Sequence, residues 1–222
     1  MISVIMRRRA AMEEAVSELN KKFVEELATL AGFWAIGNQA GDAIFDPGVG
    51  EAATLDMRKS LAPGLSGQIV YAPRIDGYLS RDNAQSDDYI KLRLNSDLLN
   101  YEKFCEQIFP RLIDIFQPYR GGIETDSDVA MADWDIICEQ SLATERDIDG
   151  RDSVFRIWPV VYFDNRLCQR SFGCSAEEVI ERISGECQRA ELRNGGAFLI
   201  VTTNLVTGDA LDEINSRVMS RL

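Results

Sequence analysis

The sequence predicts a single mixed α+β domain over residues 1–222, with a long N-terminal helix followed by a central sheet on which further helices pack. Three observations predict it. Apolar residues recur at helical spacing near the N-terminus, and strand-like runs alternate with capped helical segments toward the C-terminus. No linker, repeat or low-complexity tract divides the chain. With 222 residues, 45% of them hydrophobic and 27% charged, the chain is large enough to bury a core without disulfide staples.

From Arg7 to Leu30 the residues Met12, Val16, Leu19, Phe23, Leu27 and Leu30 alternate at spacings of three and four, which places them on one stripe of a helix. Gly32 stands where a C-cap glycine belongs, Arg7-Arg8-Arg9 reads as a solvated end, and Met6 and Met12 are alternative starts. Phe33 to Gly37 reads as a short buried strand with a turn-rich region behind it, Asn38 to Gly50. There Gly48-Val49-Gly50 lacks the continuation that a phosphate-binding loop requires.

Gln68 to Tyr71 reads as a strand. Asp76 to Asp88 reads as an exposed loop whose Asp82, Asp87 and Asp88 add acid to a binding face, and Tyr89 to Leu94 alternates with period two as a half-buried strand does. Ser96 caps a second helical stripe, Leu98, Leu99, Phe104, Ile108, Leu112, Ile115 and Phe116, which Pro110 kinks or splits. Cys105, among apolar neighbours, reads as inert packing.

Pro118 to Gly122 reads as a turn within the domain. Val154 to Phe163 has strong strand character, with Pro159 marking an edge, a bulge or a break. Ser175-Ala176-Glu177-Glu178 is a capping-box sequence opening a helix that extends to about Arg193, where Asn194-Gly195-Gly196 ends it. Ala197 to Thr202 reads as a buried strand. Asp209 caps a last helix with Leu211, Ile214, Val218 and Leu222 on its inner face.

Charge is the unusual quantity. The formal net charge is −12, which repels nucleic acid and anionic membrane and favours basic partners. From Ile123 to Asp149 nine acids face one base, Arg146, and they are threaded around Val129, Met131, Trp134, Ile136, Ile137 and Leu142. Asp133-Trp134-Asp135 flanks an amphipathic aromatic with two carboxylates, the kind of residue that anchors interfaces. Whether this stretch is helix or strand, and whether Trp134 is an anchor or the rim of the core, stays open. The candidate partner-binding residues are Asp126, Asp128, Asp133, Trp134, Asp135 and Glu139.

Histidine is absent, which excludes Ser-His-Asp and Cys-His catalysis. The five cysteines are odd in number and contain no C-x-x-C, so a reducing compartment is expected. No apolar run is long enough to span a bilayer, the first residues lack the order of a signal peptide, and a cytoplasmic location is expected. Asp126-x-Asp128 and Asp133-x-Asp135 offer oxygens to a divalent metal, which makes a metal-dependent hydrolase the alternative. The spacing does not fit an EF-hand, however, and no metal or cofactor is expected. An acidic structural or adaptor protein is a further alternative.

The chain resembles the acidic α+β immunity proteins of bacterial polymorphic-toxin and type VI secretion systems, in particular the family known as immunity protein fifty-two. The resemblance rests on Phe33-Trp34-Ala35-Ile36-Gly37-Asn38 after an N-terminal helix, on size and acidity, and on the Phe155 to Phe163 strand with its capped helix. It implies a non-enzymatic inhibitor that protects its producer from a cognate toxin, often a nuclease. Inhibition would be occlusion, the acidic patch occupying the basic surface that the toxin presents to its substrate.

Overall fold

The computed structural model describes residues 2–35, 52–58 and 60–222. The turn-rich region Asn38 to Gly50, including Gly48-Val49-Gly50, and the last two residues of the expected Phe33 to Gly37 strand lie outside the described residues. Eight strands form one sheet, β1 (Ile2–Arg9), β2 (Ala53–Asp56), β3 (Leu65–Tyr71), β4 (Asp87–Leu94), β5 (Arg120–Glu124), β6 (Val160–Phe163), β7 (Arg189–Arg193) and β8 (Gly196–Ile200). Their order is β2-β3-β4-β1-β5-β6-β8-β7, and all neighbours are antiparallel. The helices are α1 (Val16–Ala28), α2 (Asp76–Leu79), α3 (Tyr101–Lys103), α4 (Phe109–Phe116), α5 (Ser127–Thr144), α6 (Asn165–Phe172), α7 (Ala176–Ile183) and α8 (Asp209–Met219). The mixed α+β class holds.

The long N-terminal helix does not form. Residues 2–9 are instead a central strand, and the first helix begins at Val16 and runs for 13 residues. The reason lies in a second period beneath the first. Ile2, Val4 and Met6 alternate with Ser3, Ile5 and Arg7, so a strand buries all three apolar side chains on one face. α1 keeps Val16, Phe23 and Leu27 in the core, whereas Met12 is left exposed.

Arg8 and Arg9 are consequently not a solvated end. In register they lie across from Asp88 and Asp87 of β4, which are buried and not part of an exposed loop. Arg8 also pairs with Glu14, and Arg74 forks onto Asp88 with both contacts at 2.8 Å. Asp87 receives Arg151 through Nε at 2.9 Å and the Tyr119 hydroxyl at 2.6 Å. Arg9 stacks over the Tyr119 ring.

One face of the sheet, with Val4, Met6, Ile69, Ile90, Leu92 and Phe198, packs against α1 and the 101–116 helical segment. On the opposite face, β6 and β8 offer Val161, Phe163, Ala197 and Leu199 to α6, α7 and α8. Residues 104–108 form a π-helical turn, and Pro110 sits in the first turn of α4, so the expected second helix is split. Its cap is Asn100, whose side chain accepts the Lys103 N–H, and not Ser96. Leu98 is left 65% exposed.

The expected turn at Pro118 to Gly122 is largely strand β5. The paired glycines serve close approach, since a Cβ on Gly121 would stand 3.1 Å from Met6 and one on Gly122 would stand 3.5 Å from the Trp158 ring. Only Val160–Phe163 of the Val154 to Phe163 run is strand, and the chain breaks at Pro159. The capping box at Ser175 and Glu178 is present, but its helix ends at Ile183, and Arg189–Arg193 is strand β7. Asn194 and Gly195 then adopt positive φ, 46° and 74°, and turn β7 into β8. Asn-Gly is a hairpin signal before it is a helix stop. The last helix forms with Leu211, Ile214 and Val218 buried as expected, but its N-cap is Gly208 and not Asp209, which stands in the first turn, and Leu222 lies beyond its end.

Candidate partner-binding surface

α5 carries every residue nominated for binding except Asp126, its N-cap. Asp126 is extended, and its Oδ1 accepts the N–H groups of Asp128 and Val129 at 2.9 and 3.3 Å. Its Oδ2 accepts the Gly208 N–H at 3.0 Å, tying α5 to the loop before α8. The Gly208 hydrogen bond, together with those of Asp128 and Val129, outweighs the little burial and holds this carboxyl below its ordinary range. Asp126 is therefore a helix cap and tether, with no lone carboxylate left for a partner.

Asp133 is removed from the binding surface as well. It is 7% exposed, and Arg156 grips it through Nε and Nη2, while Arg156 Nη1 donates to Asp212 Oδ1 of α8 at 2.7 Å. Arg156 in turn lies over the Trp158 ring. This bridge, with Val129 and Ala130 packed against the core under α6, α7 and α8, holds α5 in place, and Ile137 is buried on the same side. An isolated buried carboxylate would be costly, so the arginine partner accounts for the burial.

The outward side of α5 is different. Trp134 is 58% exposed, Met131 66% and Leu142 84%. At about 100° per residue, Met131, Cys138 and Leu142 fall within an arc of about 40°, with Trp134 beside them. Asp128, Asp135 and Glu139 follow on the neighbouring arc and are all exposed. A helix in a monomeric fold carries one apolar stripe toward its core. α5 carries a second, facing water, edged by carboxylates on one side.

Of the remaining acids of the stretch, Asp147 and Asp149 serve the fold. Asp147 accepts the Ala84 and Arg151 N–H groups at 2.8 and 2.7 Å, and Asp149 accepts Arg120 Nη2 at 2.8 Å and the Phe155 N–H at 3.0 Å. Glu124 lies half-buried on β5, where burial first and the charge of Asp149 second raise its pKa. The effective patch is thus Asp128, Asp135 and Glu139 with Trp134, and Met131 and Leu142 join it. The helical spacing of 131, 134, 138 and 142 carries that signal in the sequence, but it was masked by Ile137 and Asp133 on the opposite side.

Asp126 and Asp133 are committed to other groups and do not offer free oxygens to a metal. Among the described residues no group of three or more Cys, Asp or Glu side chains is placed to hold one. Burial pushes the thiols of Cys105 and Cys168 up to about 12 and that of Cys187 up to about 11, so each is protonated at neutral pH and packs as an apolar group. Among the described residues no helix is long and apolar enough to cross a membrane. No family model matches the chain, and neither does any curated protein.

Proposed function

We propose that the chain is a binding protein of the immunity type, which neutralises a basic toxin domain, a nuclease in the first instance, by laying the outer face of α5 over the surface that the toxin presents to phosphate. One observation carries this reading, the coincidence on one side of a single helix of exposed Met131, Trp134 and Leu142 with a row of carboxylates that have no partner among the described residues. The apolar stripe supplies contact area that is worth desolvating, and Trp134 is the residue type most enriched at energetic hot spots. The acids supply steering and register toward lysines and arginines. A second copy of this chain fits poorly, because it would bring the same acids and the same net charge of −12 against the patch.

The resemblance to immunity proteins supplies the partner's class. The hydrolase alternative gains nothing from the geometry, since two of its four aspartates are engaged elsewhere.

The test is calorimetric titration of the protein with the toxin domain encoded beside its gene, at low and high salt. A tight complex is expected, weakened by salt and weakened by Trp134→Ala. Absence of a complex, or an affinity that neither salt nor Trp134→Ala changes, overturns the proposal. A stable dimer of the protein alone, broken by Trp134→Ala, would assign the helix to self-association instead.

A further inference from the structure

A cleft of about 690 Å³ opens at the strand ends of the sheet, where β1 and β3 begin and β4 and β5 end. That volume lies in the range of small-molecule sites, about 300–1,000 Å³. Its lining divides by chemistry. Leu65, Leu94, Leu98 and Leu205 form an apolar side, and Arg93 with Ser66 and Asn95 forms a polar one. Leu98 and Leu205 are largely uncovered, each leaving apolar surface in water that a ligand could cover.

Arg93 is the informative residue. Among the described residues it makes no ion pair and no side-chain hydrogen bond, in a chain where acids outnumber bases by twelve and Arg8, Arg74, Arg151, Arg156 and Arg193 are all engaged by carboxylates. Lys91 projects from the same face of β4, about 7 Å along the strand, and is exposed, but its charge acts on the half-buried Glu124 of β5. In register Arg93 lies between Ser66 of β3 and Ser3 of β1, so no carboxylate stands directly across from it on either side.

We propose that this cleft binds an amphiphilic anion, with a single alkyl chain lying between Leu98 and Leu205 and its acidic head on Arg93. A free inorganic anion would leave the leucines uncovered, and a cationic or neutral amphiphile would leave Arg93 unpaired. A polyanion such as nucleic acid is opposed by the charge of −12 and finds no aromatic side chain among the described residues of the lining on which a base could stack. The head is a carboxylate or a phosphate, since both accept the two parallel N–H donors of a guanidinium. The inference stands apart from the reading of α5 and uses none of its exposed residues.

The experiment is isothermal titration of the full chain with decanoate and with decyl phosphate, alongside decanol, decyltrimethylammonium and inorganic phosphate. Saturable one-to-one binding of at least one of the two anionic amphiphiles is expected, and the tighter one identifies the head group. Arg93→Gln should weaken it about tenfold or more, as loss of a charge-assisted hydrogen bond does, and Leu98→Ser should weaken it as well. Both positions are exposed, and unchanged melting temperatures would show that the variants fold. Failure of both anions to saturate below their micelle concentrations overturns the proposal, as does binding of decanol as tight as that of decanoate, or equal affinity in Arg93→Gln.

Discussion

Asp87 and Asp88 on β4 are buried with arginine or tyrosine donors on several sides, whereas Asp128, Asp135 and Glu139 on α5 face water beside Met131, Trp134 and Leu142. The difference comes from what lies across from each. β4 runs between β3 and β1, and β1 brings Arg8 and Arg9 into register with the two aspartates. α5 touches the rest of the molecule along one side only, through Val129, Ala130, Asp133, Ile137 and the Asp126 cap. Carboxylates in the first region hold the fold together. Those in the second are surplus to the fold, and the exposed apolar residues beside them make the same surface available for binding.

The largest expected effect breaks the buried side of this contrast. Asp88→Ala leaves Arg8 and Arg74, whose side chains are mostly buried, with Glu14 as their one remaining carboxylate, and should cost about 3–5 kcal/mol in urea unfolding, the range for removing one partner of a buried ion pair. Asp135→Ala should stay within about 0.5 kcal/mol of the unaltered protein. Equal losses in the two variants would erase the distinction between the regions.

Within α5 the same contrast recurs at adjacent residues. Asp133→Ala leaves the Arg156 guanidinium with Asp212 alone and should lower stability by about 1–3 kcal/mol. Trp134→Ala should leave the melting temperature nearly unchanged and cost about 2 kcal/mol of affinity for the toxin domain, roughly a thirtyfold rise in Kd. If Trp134→Ala instead lowers stability as much as Asp133→Ala, the indole belongs to the core and not to an interface. Replacing Asp128, Asp135 and Glu139 together by amides should act more gently. It should slow association several-fold and flatten its salt dependence in stopped-flow measurements, with little change in the dissociation rate.

Local grammar was legible wherever one period ruled. The capping box at Ser175, the Tyr89 to Leu94 alternation, the disruption at Pro110 and the last helix all emerge where short-range chemistry leaves a single option. The helical stripe is real over Val16–Ala28 but misleads before it, because two patterns overlap at the N-terminus and only the partners of β1, about eighty residues or more away in sequence, choose the strand. Asn194-Gly195 fits a helix stop and a hairpin alike, and pairing with β8 decides between them. At the candidate site the acidic, aromatic character of α5 could be read directly. That Asp133 points inward could not, because its partner Arg156 lies beyond the following loop and nothing local announces it. Buried ion pairs are long-range facts.

The smallest effect concerns the tether that sets where α5 begins. Hydrogen bonding by the Gly208, Asp128 and Val129 N–H groups keeps Asp126 below its ordinary value of 3.8 in the folded protein, so the folded state releases this proton more readily than the unfolded chain. Its ionic contribution is complete above the ordinary value and disappears as pH falls through the lower folded one. Asparagine preserves an N-cap oxygen but not the charge, so Asp126→Asn should cost about 1 kcal/mol or less at neutral pH, the scale of a charge at a helix N-terminus. The gap between the two proteins, measured by urea unfolding at a series of pH values, should close below about pH 3.8 while other carboxylates lower the stability of both alike. A gap that persists unchanged into strong acid would mean that amide geometry, and not the carboxylate charge, accounts for the difference.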